Sequence, residues 1–195
     1  RTSVPVPMDE GEITSLGDAG EVVVTARRLD LRDAGEISSG TNGPGAAGKV
    51  VVDADGLRVV GGPEVFTGIR SEAGPQSSGP AGTVNVSARD IEIRASGGVS
   101  SSTFSSGDAG TVAVTAERVQ VREGGRIASS TAAAGHGGNV AVMVAGGALE
   151  VSGEGSAITS EAGALAEGDA GTVRVAASRI RIRDGGSISS RNDGT

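Results

Sequence analysis

The stretch GDAGTVAVTAERVQVREGGRIASST, residues 107–131, contains the pattern that decides the fold. Closely similar stretches begin at Gly17 and Gly168, reading GDAGEVVVTARRLDLRDAGEISSGT and GDAGTVRVAASRIRIRDGGSISS. Aligned on their first glycine, six repeats begin at Gly17, Gly45, Gly79, Gly107, Gly135 and Gly168, with spacings of 28, 34, 28, 28 and 33 residues. A near-constant period of this length is typical of a solenoid built from stacked repeats.

Apolar residues alternate with polar ones inside each repeat, which predicts β-strands rather than helices. The fourth repeat predicts three strands, with inward side chains within residues 112–116, 119–121 and 127–129. Gly124 and Gly125 lie between the second and third strands, where a corner requires positive φ or close backbone approach.

The inward positions of these strands recur as columns through all six repeats. Three columns show this best: Val22, Val50, Val84, Val112, Val140, Val173; Leu31, Val59, Ile93, Val121, Val151, Ile182; and Ile37, Ile69, Val99, Ile127, Ile158, Ile188. Similar β-branched residues stacked at the strand spacing of about 4.8 Å fill a narrow core. We therefore predict an all-β fold, a right-handed parallel β-helix of six coils, each repeat forming one coil, and about 30 Å long.

Two other repeat folds do not fit this pattern. The leucine-rich signature L-x-x-L-x-L…N is absent, and so is the six-residue period of a left-handed hexapeptide helix. Residues 17–195 are predicted to form a single array, preceded by a partial coil or a leading loop in residues 1–16. Since the chain begins with Arg1 rather than Met, we expect it to be part of a longer protein.

The composition limits the possible partners. The 195 residues include 34 Gly, two Phe, and no Trp, Tyr or Cys, and the net charge is −7. An acidic chain with almost no aromatic residues is a poor candidate for binding nucleic acid, whose bases stack on aromatic side chains. No run of apolar residues is long enough to span a bilayer, and no disulfide framework is possible.

One inward column is polar and consists of Ser39, Ser71, Ser101, Ser129, Ser160 and Ser190. We interpret it as a ladder of hydroxyl groups bonded to a neighbouring coil or to turn backbone. Nucleophilic serines would be the alternative, but each would need an adjacent base, and His136 is the single histidine of the sequence.

The remaining polar residues predict no cofactor, metal or catalytic site. Asp18, Asp108 and Asp169 of the G-D-A-G segments are interpreted as turn residues, with calcium bound between coils as the alternative. His136 has no second histidine or cysteine with which to form a zinc site. An outward ladder of Arg32, Arg94, Arg122 and Arg183, with acids Asp33, Glu123 and Asp184 beside three of them, predicts a salt-bridged face; a stripe binding polyanions is the alternative.

The two long repeats carry insertions, around VVGGPEVFTGIRSEAGPQSS in the second and AGGALEVSGEGSAITSEAGALAE in the fifth. Insertions in solenoids become surface loops, where binding residues are often found. Pro63, Glu64 and Phe66 are therefore the candidate contact residues, although the favoured interpretation of Phe66 is that it covers the insertion's own small core.

The motif G-D-A-G-x-V-x-V-x-A, followed by x-I-x-I-R-D-G-G-x-I-S-S, resembles the repeats of filamentous haemagglutinin-type exoproteins over residues 17–195. These proteins are passengers of two-partner secretion in Gram-negative bacteria. The resemblance implies a right-handed β-helix, export through an outer-membrane β-barrel transporter, and a secreted or cell-surface location. It also implies a structural or adhesive role, with a host or neighbouring-cell surface glycan or protein as partner.

Two further expectations concern enzymatic activity and assembly. Many β-helix proteins act on polysaccharides, so a fragment of a carbohydrate-active enzyme is the alternative function. Such enzymes need clustered carboxylates and usually aromatic residues that stack on sugars, whereas here the acids are scattered and there are two phenylalanines, so we do not expect an enzyme. The terminal coil SISSRNDGT would leave unpaired backbone groups, which predicts end-to-end self-association or a covering segment.

Overall fold

The computed structural model describes residues 17–194, so the predicted partial coil or leading loop of residues 1–16 lies outside the described residues. The described range contains twelve strands and no helix. The strands are β1 Glu21–Arg32, β2 Glu36–Thr41, β3 Lys49–Val60, β4 Gly68–Ala73, β5 Thr83–Arg94, β6 Gly98–Thr103, β7 Thr111–Arg122, β8 Arg126–Thr131, β9 Val140–Ser152, β10 Ala157–Ala162, β11 Val173–Arg183 and β12 Ser187–Asn192.

Each coil contributes one long and one short strand to two parallel sheets. The odd-numbered strands form one six-stranded sheet in the order of the coils, and the even-numbered strands form the other. Every strand pairs with its counterpart in the next coil, as Val84 does with Val112 and Ile69 with Val99. The predicted all-β, parallel β-solenoid of six coils is confirmed.

The prediction of three strands per coil is wrong in one respect, because the first two are halves of a single long strand. In β5 the side chains of Arg89 and Asp90 are both exposed, whereas Ala88 and Ile91 on either side are buried. The alternation therefore shifts by one residue at this point, which forms a bend. Backbone pairing with the next coil continues on both sides of the bend, so the strand is not interrupted.

The predicted apolar columns form one continuous core between the two sheets. In the interior coils these side chains are essentially inaccessible to solvent, including Ile69, Ile93, Ile127, Leu149 and Ile158. Burying an aliphatic side chain of this size contributes about 1.5–3 kcal/mol, so a narrow core can be stable without aromatic residues. The sequence-based identification of the core is thus confirmed for the interior coils, whereas Ile182 of the sixth coil is 49% exposed.

The serine column closes each coil across the core. Each hydroxyl donates to the carbonyl oxygen of the last G-D-A-G glycine, or its equivalent, in its own coil, at 2.6–2.8 Å. Ser71 and Ser160 also accept an N–H from the next coil, donated by Gly82 and Gly171. The predicted structural role fits these contacts, but most of the bonds are made within a coil rather than between coils.

The glycines that accept these bonds form a column of their own, which the sequence pattern alone did not explain. Its members are Gly20, Gly48, Gly82, Gly110, Gly138 and Gly171. From Gly48 onward, a Cβ atom would collide with the carbonyl oxygen of the same glycine in the preceding coil. Glycine is therefore required here because two backbones approach closely, and not because of an unusual φ.

The corner between the long and short strands has the predicted conformation. In the fourth coil Glu123 and Gly124 have φ of 51° and 80°, and a Cβ on Gly125 would meet the backbone of Ile93. The positive-φ positions are occupied by Ala34 and Ser96 in two other coils. The three-residue turn thus recurs in the first, third, fourth and sixth coils and tolerates side chains at some strain.

Candidate functional site

The extra residues of the long repeats lie in corners and bends, outside the strand ladders. In the second coil, residues 61–67 replace the three-residue turn formed by residues 33–35 in the first coil, and residues 74–82 form a longer return loop. In the fifth coil, the extra residues fall at the bend around Gly146 and Gly147 and in the two loops that follow. The second coil therefore carries the largest departure from the regular turn.

Loop 61–67 holds one group of side chains in solvent and another against the body of the solenoid. Pro63 and Glu64 are exposed, and Val65 is 61% exposed. Phe66 is half-buried, lies under the Arg70 guanidinium at 4.9 Å from its ring centroid, and contacts Gly98. Of the three predicted contact residues, Pro63 and Glu64 face outward, whereas Phe66 anchors the loop. The exposed Val65 was not identified from the sequence.

A groove of about 320 Å³ lies between this loop and the turn of the first coil. Its lining includes Asp33 and Ala34 on one side and Pro63, Glu64 and Val65 on the other. The Oγ1 of buried Thr67 accepts a hydrogen bond from the Ala34 N–H at 3.1 Å, which fixes the loop to the turn. The groove therefore combines an exposed apolar edge with two acidic side chains.

The G-D-A-G aspartates connect consecutive coils. Asp18 Oδ1 accepts the backbone N–H of Ala46 at 2.7 Å, and Asp108 Oδ1 accepts that of His136 at 2.8 Å. His136 continues the pattern, since its Nδ1 accepts the N–H of Asp169 at 3.0 Å. These bonds agree with the interpretation of the aspartates as turn residues and give His136 the same capping role. Among residues 17–194, no group of three or more potential metal ligands comes together.

In two outward columns of the long strands, most adjacent coils place charges of opposite sign next to each other. One column reads Asp30, Arg58, Glu92, Gln120, Glu150, Arg181, and a second reads Arg27, Asp55, Arg89, Glu117. Arg58 Nε lies 3.1 Å from Glu92 Oε2. The predicted salt-bridged face is therefore present, although its pairs run mostly between coils: Glu123 pairs with Arg94 of the preceding coil at 3.3 Å, not with adjacent Arg122.

Glu150 is the most enclosed acid of this face, with 13% of its side chain exposed. Its Oε1 accepts from Arg183 Nη2 at 2.6 Å and its Oε2 from Arg122 Nη2 at 3.3 Å. The hydrogen bond from Arg183, together with the charges of both guanidinium groups, lowers the pKa of Glu150 despite partial burial. This carboxylate therefore links the fourth, fifth and sixth coils.

We expect Glu150→Gln to destabilise the chain in a pH-dependent way. Because the native pKa lies below the unfolded value of about 4.3, the contribution of the charged group is complete above that pH. It is lost as the pH falls through the lower native pKa. The difference in unfolding free energy from wild type should be about 1 kcal/mol at pH 6, given the exposure of Arg183, and should shrink near pH 3.

Urea unfolding followed by far-UV circular dichroism measures this difference, since the chain has no Trp or Tyr for fluorescence. Glu154→Gln is the matched control, because Glu154 is exposed and forms no ion pair with any residue in the range 17–194. It should change stability little at either pH. If Glu150→Gln lowered the unfolding free energy equally at pH 6 and pH 3, the stabilising role assigned to the charged carboxylate would be contradicted.

Comparison with known proteins gives no relative from which a function could be transferred. No family model matches the chain, and neither curated proteins nor solved structures show significant similarity to it. No helix able to span a membrane occurs in the portion of the chain that the structure describes. Any function must therefore be inferred from the solenoid and its surface.

Proposed function

We propose that this chain is a structural and adhesive segment of a large secreted bacterial surface protein. In this proposal the regular coils are a rigid spacer and loop 61–67 makes the contact. The observation that carries it is the enlarged corner of the second coil, which holds Pro63, Glu64 and Val65 in solvent while Phe66 fixes the loop. Loops supported by a rigid scaffold are common binding elements.

The resemblance of the repeats to filamentous haemagglutinin-type exoproteins supports this proposal. In this view the parent protein leaves the cell through an outer-membrane β-barrel transporter and acts in the medium or at the cell surface. Its partner would be a glycan or protein on a host or neighbouring cell. A stack in which every coil repeats the same ladder suits a spacer, because its length is set by the number of coils.

Replacing residues 61–67 with the turn Glu123–Gly125 tests the contact role. The three-residue turn joins the same two strands in the fourth coil, so the variant should fold. Labelled chain should bind cultured epithelial cells or intact bacterial cells, and the replacement should weaken that binding at least tenfold. The label is attached at Thr195→Cys, since the chain has no other cysteine. Equal binding by both chains, or binding by neither, would reject the proposal.

The alternative of a carbohydrate-active enzyme requires carboxyl groups that face a substrate groove, one of them carrying a proton. On the long-strand face, Asp90 and Glu92 are each bonded to an arginine, Asp90 Oδ1 at 2.7 Å from Arg118 Nη1. Such pairing suits recognition better than proton transfer. The release of reducing ends from a polysaccharide by the chain would favour the enzyme instead.

A further inference from the structure

Gly56 lies in the middle of β3, on the outer face, in a place where no backbone constraint requires glycine. Its φ is not in the left-handed region, and an added Cβ would meet nothing within 4 Å. This distinguishes it from Gly110, whose Cβ would collide with the preceding coil. Glycine inside a strand weakens the strand, and it often marks a place where a ligand approaches closely.

A groove of about 350 Å³ opens over Gly56 and extends from the first coil to the fourth. This volume is within the range of small-ligand sites. Gly56, Leu57, Ile91 and Gln120 contribute to the lining, and charged side chains form the rest. They are three arginines and three acids: Arg28, Arg58, Arg118, Asp30, Asp90 and Glu92.

Ion pairs hold the walls of this groove in place. Arg58 bonds Glu92 at 3.1 Å, and Arg118 bonds Asp90 at 2.7 Å, each pair joining adjacent coils. Arg28 forms no ion pair within the described range. Its guanidinium N–H groups, and the carboxylate lone pairs left over by the ion pairs, are available to a ligand.

We propose that the Gly56 groove binds a neutral polysaccharide. Three cations and three acids give the lining no net charge. A polyanion would meet three carboxylates and a polycation three guanidinium groups, so both are disfavoured. Sugar hydroxyl groups both donate and accept hydrogen bonds, and they match the mixed donors and acceptors of these walls.

A second groove favours a polymer over a single sugar. It has a volume of about 320 Å³ and opens around Ala148, which occupies the register position of Gly56 three coils further along. Arg118 lines both grooves, and their central residues Gly56 and Ala148 are three strand spacings, about 14 Å, apart. The charged side chains of the second groove are Arg118, which is bonded to Asp90, and Arg179. A ligand that reaches both gains affinity from the second contact, so a chain should bind more tightly than its monomer.

Gly56→Val in the 195-residue chain is the test. Valine places an isopropyl group in the centre of the groove and favours the strand, so the melting temperature should be unchanged or raised. Affinity electrophoresis with galactomannan and dextran, which are neutral, and with alginate and heparin, which are anionic, measures binding. Wild type should bind at least one neutral polysaccharide more tightly than its monosaccharides, and Gly56→Val should weaken this binding at least tenfold.

Ala113→Val is the matched control, because it adds the same side chain to the outer face of β7 away from both grooves. It should bind like wild type. Binding to neither neutral polysaccharide, binding to the anionic ones alone, or equal affinity of wild type and Gly56→Val would overturn the proposal. The proposal does not depend on loop 61–67. If the chain binds cells but no neutral polysaccharide, the Gly56 groove is rejected as a polysaccharide site and the proposed adhesive function stands.

Discussion

Gly110→Ala is expected to lower the unfolding free energy by about 3 kcal/mol or more, although it adds a single methyl group. That methyl group would collide with the carbonyl oxygen of Gly82 in the preceding coil and with the hydroxyl of Ser101. The same carbonyl accepts the Ser101 hydroxyl at 2.7 Å and the Thr111 N–H at 3.2 Å. Relief would therefore require the two coils to separate, which breaks the ladder on either side.

Gly62→Ala is the matched control. It lies in the loop of the second coil, a Cβ there would meet nothing within 4 Å, and its φ is not in the left-handed region. We expect a change within about 0.5 kcal/mol. Urea unfolding by circular dichroism measures both variants, and failure of Gly110→Ala to fold agrees with the expectation. A Gly110→Ala chain with the wild-type urea midpoint would show that the coils can move apart at little cost.

Deletion of residues 107–134, the whole fourth coil, should leave a folded solenoid that is shorter by about 4.8 Å. Stability in a stacked array is approximately a sum over coils and their interfaces, so one coil can be removed without losing the others. The deletion places Val86 against Val142 and Ile93 against Val151. X-ray scattering measures the length, and the urea m-value should fall by about one-sixth, as less surface is exposed on unfolding.

The deletion also costs stability on the outer face of the long strands. It removes Gln120, which separates Glu92 from Glu150, and sets these two acids directly opposite each other. Like charges in opposite positions destabilise a sheet, here by up to about 1 kcal/mol. Both chains keep the ion pair between Glu92 and Arg58, so Glu92→Gln loses that pair in either one, but only in the deletion variant does it also remove the repulsion from Glu150; it should therefore cost less stability there than in the full-length chain. An unfolded deletion variant, with or without Glu92→Gln, would contradict the additive model.

Much of the fold could be predicted from the sequence because its signal is repeated six times. A column such as Val22, Val50, Val84, Val112, Val140 and Val173 fixes the register of adjacent coils by itself, since a shift of one residue would turn polar side chains into the core. The bend at Arg89 and Asp90 was harder to interpret. A one-residue shift in alternation looks the same in sequence whether the strand ends or bends.

The candidate sites were less predictable, since they depend on which glycines the backbone needs. The sequence does not show that Gly56 and Gly110 have different roles. The structure does, because the preceding coil leaves no room for a Cβ atom at Gly110 and leaves room for one at Gly56. The insertion of the second coil was located correctly, but the division between outward Pro63 and Glu64 and packed Phe66 depends on the fold of the loop. No periodic signal reports on such a single, irregular segment.

The opposite charges that face each other between the second and third coils have a consequence for how such a chain can lengthen by gene duplication. Tandem duplication of the second coil alone would place Arg58 against a second Arg58 and Asp55 against a second Asp55. Duplication of the second and third coils together would keep opposite signs in contact, because Arg58 would follow Glu92 and Asp55 would follow Arg89. Electrostatics therefore favours duplication of these two coils together over duplication of the second coil alone.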